Sequence, residues 1–170
     1  HEELLICPFA RLLDGVGHVA VGAISPIPGS AALLAQAQTS VEGGGMRVSI
    51  IHGDANNPYT DGGREIFDCA GQGRIDAFFL GGAQIDGEAN INLLGLGPYP
   101  DLDKRFPGSF GSAYVYFVIP KIILFAPEHS RRVLVERVDL RLTLVRSERV
   151  VARGTVEAVP ARTSSVGGHV

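Results

Sequence analysis

Residues 75–86 read Ile75-Asp76-Ala77-Phe78-Phe79-Leu80-Gly81-Gly82-Ala83-Gln84-Ile85-Asp86. The first six residues form a strand whose apolar run, Ala77-Phe78-Phe79-Leu80, does not alternate with polar residues. A strand apolar on both faces belongs to a sheet covered on both sides, and this one runs straight into two glycines. His18–Ile24 and Met46–Ile51 read the same way. Between the strands lie helical patterns. Residues 2–14 put Leu4, Leu5, Phe9, Leu12 and Leu13 roughly on one stripe, with a kink or late start expected at Pro8. Ser30 can cap a short Ala/Leu helix through about Gln38, and residues 64–70 give one more helical turn.

Strands alternating with helices predict an α/β fold of three layers around a mixed, mostly parallel sheet. The last third is strand-like: Tyr114–Ile119, Lys121–Phe125, Arg132–Val138, Leu140–Val145 and Val150–Val156, which suggests a mixed or antiparallel edge. One domain over residues 1–159 and a frayed, small and polar tail over 160–170 follow.

The 170 residues are 45% hydrophobic and 19% charged, so the chain is globular. A net charge of -3 gives no general reason to bind nucleic acid or an anionic membrane. No apolar stretch nears the roughly 18 residues that cross a bilayer. His1-Glu2-Glu3 is acidic, with no basic leader, so no secretory signal is expected. Cys7 and Cys69 stand apart and read as buried free thiols in a reducing cytoplasm. No ligand spacing among His, Cys and acidic residues implies a metal.

Glycine is over-represented: 22 residues, nearly double the usual share of roughly 7%. Glycine-bearing loops follow three strands, at Gly22–Gly29, His52–Gly63 and Gly81 onwards, where ligands collect in open parallel sheets. In Phe106-Pro107-Gly108-Ser109-Phe110-Gly111-Ser112-Ala113, Gly108 and Gly111 permit positive φ, so consecutive amides can face one concavity. A helix beginning near Ser112 would add its free donors to the same field. Such a loop suits an oxyanion, a carboxylate or a phosphate, or is an ordinary surface turn. After Gly81-Gly82 a polar run places Gln84, Asp86, Asn90 and Asn92 where they either orient a ligand or tie the loop to its own backbone.

Taken together, Phe79-Leu80-Gly81-Gly82-Ala83-Gln84-Ile85-Asp86 with Asn90-Ile91-Asn92, the loop Pro107–Ala113, and the basic run His129-Ser130-Arg131-Arg132-Val133-Leu134-Val135-Glu136-Arg137-Val138-Asp139 resemble the family I CoA-transferases. The likeness is to the beta subunit of the glutaconate CoA-transferase type and covers roughly residues 2–139. It implies the fold shared with sugar-phosphate isomerases and an alpha subunit of similar fold, expected as an α2β2 hetero-oligomer. It further implies an acyl-CoA substrate, with coenzyme A as substrate moiety and no tightly bound cofactor. In that family a glutamate carboxylate attacks the thioester while backbone donors hold the oxygen that becomes anionic. Gly108, Ser109, Phe110 and Gly111 would shape that pocket, with Gln84, Asp86 and Asn90 supporting it.

The family's glutamate lies in a Glu-x-Gly element after the second strand, and the matching positions here are Ile51-His52-Gly53. The chain therefore lacks the transferase carboxylate; His52 and Asp54 are the nearby catalytic candidates. The beta subunits of steroid ring-degrading CoA hydrolases, also similar, lack it too and use a carboxylate of the alpha subunit. Two readings follow: a catabolic subunit acting in CoA transfer or in hydrolysis and ring opening completed by a partner, or a non-catalytic subunit that binds a CoA ester or stabilises that partner.

Overall fold

The computed structural model describes residues 3–53, 55–60, 63–142 and 155–158. The candidate Asp54, the second half of Leu140–Val145, most of Val150–Val156 and the tail expected over 160–170 lie outside them.

In chain order the elements are α1 (Glu3–Leu12), β1 (His18–Val21), α2 (Pro26–Val41), β2 (Arg47–Ile50), α3 (Arg64–Gly71), β3 (Ala77–Gly81), β4 (Gln84–Asp86), β5 (Ile91–Asn92), β6 (Gly95–Leu96), β7 (Lys104–Arg105), α4 (Ser112–Val118), β8 (Lys121–Phe125), β9 (Leu134–Val135) and β10 (Thr155–Ala158). The main sheet has the order β10-β8-β3-β1-β2. Every pairing in it is parallel. The antiparallel pairs expected of the strand-rich last third lie instead in two small sheets, β4 with β5 and β6 with β7. Arg132–Val138 shrinks to two-residue β9, which joins β4 and not the main sheet.

The unbroken apolar run of β3 is explained by what covers it. Ala77 and Phe79 pack with Val19, Val21 and Ile123 against α1 and α2. Phe78 and Leu80 pack with Ala20, Ile122 and Leu124 against α3 and α4. The side-chain period of two thus feeds two cores from one strand, giving the three layers.

Four local expectations change. The helix before β2 starts at Pro26, with Ser25 as N-cap, five residues ahead of Ser30. Pro26 and Pro28 fit because a first turn has no use for their missing N–H groups. Helix α1 runs through Pro8. Its Leu4 and Cys7 face solvent, and the buried stripe is Phe9, Ala10 and Leu13. Cys69 is half-buried. Tyr114–Ile119, strand-like in its aromatic and β-branched content, is helical through Val118. Burying Val115 and Tyr116 against β3 and β8 outweighs β propensity there. The helix ends where Ile119 turns extended ahead of Pro120, as residues before proline do.

His18 knits the amino ends of the sheet together. Its Nδ1 lies 2.6 Å from the Arg74 carbonyl, its Nε2 lies 2.8 Å from Ser49 Oγ, and its amide donates to Asp76 Oδ2 at 2.8 Å. A carbonyl only accepts, so Nδ1 carries the proton and the neutral ring's Nε2 accepts from Ser49. Burial, with the positive charge of Arg47, lowers the His18 pKa from its ordinary value against the opposing bond to Arg74. The unfolded chain therefore takes up a proton first, and this contribution to stability is complete above about pH 6.5 and is lost as pH falls below it. Urea midpoints should fall between about pH 7 and pH 5, and the fall should shrink in His18→Gln. An unchanged pH dependence in that variant would contradict the assignment.

Candidate functional site

Strand β1 leads through α2 to β2 on one side, whereas β3 leads on to β8 on the other. The β1–β3 boundary is thus a topological switch point, where open α/β sheets form a crevice outside the strand ends. A cavity of about 320 Å³ occupies this place. Gly22, Ala23 and Ser25 after β1, Ile51 and His52 after β2, and Leu80 and Gly81 of β3 line it. Ile66 and Phe67 of α3, the loop residues Ser109 and Phe110, and Ser112 and Val115 of α4 complete the wall.

The loop before α4 is built around two left-handed glycines. Gly108 has φ +108° and Gly111, the N-cap of α4, has φ +74°. A Cβ on Gly111 would stand 2.5 Å from Phe67 Cζ, so the site accepts only glycine without movement of the ring. Phe110, between them, adopts φ +39° and packs its ring 5.7 Å from that of Phe67. The Ser109 carbonyl accepts from both the amide and the hydroxyl of Ser112. The amides of Ser109, Phe110, Gly111 and Ala113 find no acceptor among the described residues. Donors are therefore present in the loop at the cavity.

Backbone strain gathers here as well. Among the described residues four non-glycine positions have positive φ: Ile24, His52, Ala89 and Phe110. His52 and Phe110 line the cavity, and Ile24 lies between two of its lining residues. For β-branched Ile24, 98% exposed, such a conformation has no local reward. Glycine spacing flagged Gly108 and Gly111, but no feature of the sequence marks Ile24.

The turn after β2 is fixed from three sides. Ile51 N donates to Val21 O at 3.0 Å, Ile50 N to Asn56 O at 2.9 Å and Gly53 N to Ile50 O at 3.1 Å. These bonds set Ile51 and His52 at the cavity wall. The position that the resemblance gives to a carboxylate is thus occupied by an aliphatic side chain.

Gln84, Asp86 and Asn90 do not line this cavity. All three are buried, and their side chains hold the chain itself. Asp86 Oδ1 accepts from the Glu88 and Asn90 amides and from Asn90 Nδ2, each at 3.0 Å. Its Oδ2 accepts from Asn90 Nδ2 at 3.0 Å and from the Val138 amide at 3.2 Å. Gln84 Oε1 accepts from Asn92 Nδ2 at 2.7 Å and from the Asp139 amide at 2.9 Å. Burial pushes the Asp86 carboxyl up, but the bonds from the Asn90 side chain and from the Asn90, Val138 and Glu88 amides outweigh it and leave the pKa lowered. Of the two roles open to this run in the sequence, the hydrogen bonds describe the structural one.

Among the described residues no group of three or more His, Cys, Asp or Glu could hold a metal ion. No helix among them is long and apolar enough to cross a membrane.

A model of the coenzyme A transferase family matches residues 35–164. The decarboxylase AibA/AibB superposes with a TM-score of 0.72 at 25% identity, over 92% of this chain and 70% of that one. IpdAB of Rhodococcus jostii RHA1 gives 0.70 at 19% identity, over 92% and 69%. Glutaconate coenzyme A-transferase from Acidaminococcus fermentans gives 0.60 at 19%, over 83% and 60%. No curated protein is found similar to the chain by sequence.

Proposed function

The chain belongs to the coenzyme A transferase family, and from that premise we propose that it is the beta-type subunit of an enzyme acting on an acyl-CoA thioester, with the catalytic carboxylate brought by an alpha subunit of similar fold. The carrying observation is the cavity at the switch point, lined by Ser109 and Phe110 of the glycine-bearing loop and by Ile51 where a carboxylate is expected. Support for a partner comes from AibA/AibB, whose name is that of a pair.

In this reading the thioester carbonyl lies against the 108–112 loop. As the partner's carboxylate, or water activated by it, attacks the carbonyl carbon, negative charge develops on the oxygen. Amides held in place by Gly108 and Gly111 stabilise that charge without reorganising. In transfer and in hydrolysis the carbon–sulfur bond then breaks and CoA leaves as thiolate, to be taken up again in transfer or protonated and released in hydrolysis. In ring opening the water attacks a ring carbonyl instead, the ring carbon–carbon bond beside it breaks, the departing carbon takes up a proton, and the thioester stays intact. Coenzyme A enters as part of the substrate, no tightly bound cofactor is required, and the work is catabolic and cytoplasmic. The complex is α2β2, and residues 1–159 act as one domain. Gly108, Ser109, Phe110 and Gly111 shape the pocket. Gln84, Asp86 and Asn90 support it from behind by fixing the chain that follows β3. His52 serves as a hydrogen-bonding group at the wall, and Asp54, two residues on, is the alternative carboxylate.

The same Ile51 favours a second reading, a subunit that binds a CoA ester or steadies its partner without taking part in chemistry. Co-purification followed by incubation with acyl-CoA separates the two. The enzyme reading expects turnover that needs both subunits and a covalent adduct or essential carboxylate on the partner. It also expects kcat/KM to fall about 100-fold in Gly108→Val, because a displaced loop no longer aims its donors. Turnover untouched by that change supports the non-catalytic role. An adduct on Asp54, or on Glu42 at the end of α2 ahead of β2, overturns the assignment of the nucleophile to the partner.

A further inference from the structure

Resting on the acyl-CoA reading, we infer that this cavity selects an uncharged, apolar acyl group and rejects acyl groups carrying a second carboxylate. The geometry divides the cavity chemically. Its hydrogen-bonding groups are the hydroxyls of Ser25, Ser109 and Ser112, the His52 ring, and the amides of the lining residues Ser109 and Phe110. The rest of the wall is apolar, with Ile51, Ile66, Phe67, Phe78, Leu80 and Val115 prominent in it, and no Lys, Arg, Asp or Glu lines it among the described residues. These side chains belong to, or pack on, the core beneath α3 and α4.

A thioester seated against the loop has its acyl carbon chain directed at that apolar wall. A distal carboxylate there would lose its hydration with no cation among the described lining residues to meet it, which is among the most costly events in recognition. An alkyl or aryl group loses only unfavourable contact with water. Size agrees: a cavity of about 150 Å³ holds a benzene ring, and about 320 Å³ admits a medium-length or ring-bearing acyl group beside the thioester. Ile51 is the point at which this filter acts and can be altered, since its aliphatic side chain lines the cavity and offers a distal carboxylate neither charge nor hydrogen bond.

The test is isothermal titration of the full chain, purified together with its partner subunit, using free CoA, hexanoyl-CoA and glutaryl-CoA. The expected result is hexanoyl-CoA binding at least about 100-fold tighter than glutaryl-CoA, with Ile51→Lys narrowing that ratio by about tenfold or more. Glutaryl-CoA binding equally well or better overturns the selectivity and leaves the acyl-CoA reading standing. An unchanged ratio in a folded Ile51→Lys variant removes position 51 as the filter. Failure of all three probes to bind overturns the acyl-CoA reading itself.

Discussion

Gly111→Ala is expected to abolish thioester turnover by the assembled enzyme, lowering kcat/KM by about 100-fold or more, and to cost about 2–3 kcal/mol of stability. Two effects combine. The backbone there is left-handed, and the added methyl would lie 2.5 Å from the Phe67 ring. Either the ring moves, taking with it the contact that seats Phe110, or the loop moves and re-aims its amides. Phe67 also meets Tyr114 edge-on, so the disturbance reaches helix α4. Gly108→Ala is the informative contrast. No heavy atom lies within 4 Å of that added methyl, so only the strain of φ +108° remains. The loss of stability should be about 1–2 kcal/mol, smaller than for Gly111→Ala. Thermal melts of both variants, with steady-state kinetics on the co-purified complex, check the order. Equal effects at the two glycines would show that the contact with Phe67 does not hold the loop.

Asp86→Asn is expected to destabilise the chain by about 3–4 kcal/mol, a fall in melting temperature of about 10 °C. The change is nearly isosteric, so packing is unaltered. What it alters is that an NH₂ group must replace one of two oxygens that only accept. Whichever way the amide turns, donors are set against the Asn90 side chain and a backbone amide of Glu88, Asn90 or Val138. Acid should do the same to the native protein. Because the folded pKa is lowered, the stabilisation is present above the unfolded value of about 3.9 and is lost as pH falls through the folded value. Denaturant midpoints of native chain and variant should therefore converge on acidification. A variant as stable as the native chain at neutral pH would remove Asp86 from its structural role.

The sequence by itself determined the layered, parallel architecture. Four consecutive apolar residues at 77–80 leave a strand no solvent face, and both cores confirm it. It also marked the glycines whose φ values are positive at 108 and 111, because a left-handed turn favours the one residue without a Cβ. Only the tertiary structure decided which polar residues face a cavity and which hold the frame. Gln84, Asp86 and Asn90 look alike as binding and as structural groups, since local order does not say that the Val138 and Asp139 amides, more than fifty residues on, will claim oxygens of Asp86 and Gln84. The helix at Ser112–Val118 was likewise beyond local reading, because its aromatic and β-branched residues favour a strand until a neighbouring sheet offers a face on which Val115 and Tyr116 are buried. Long-range burial and long-range hydrogen bonds couple residues distant in sequence, and one segment taken alone carries no record of them.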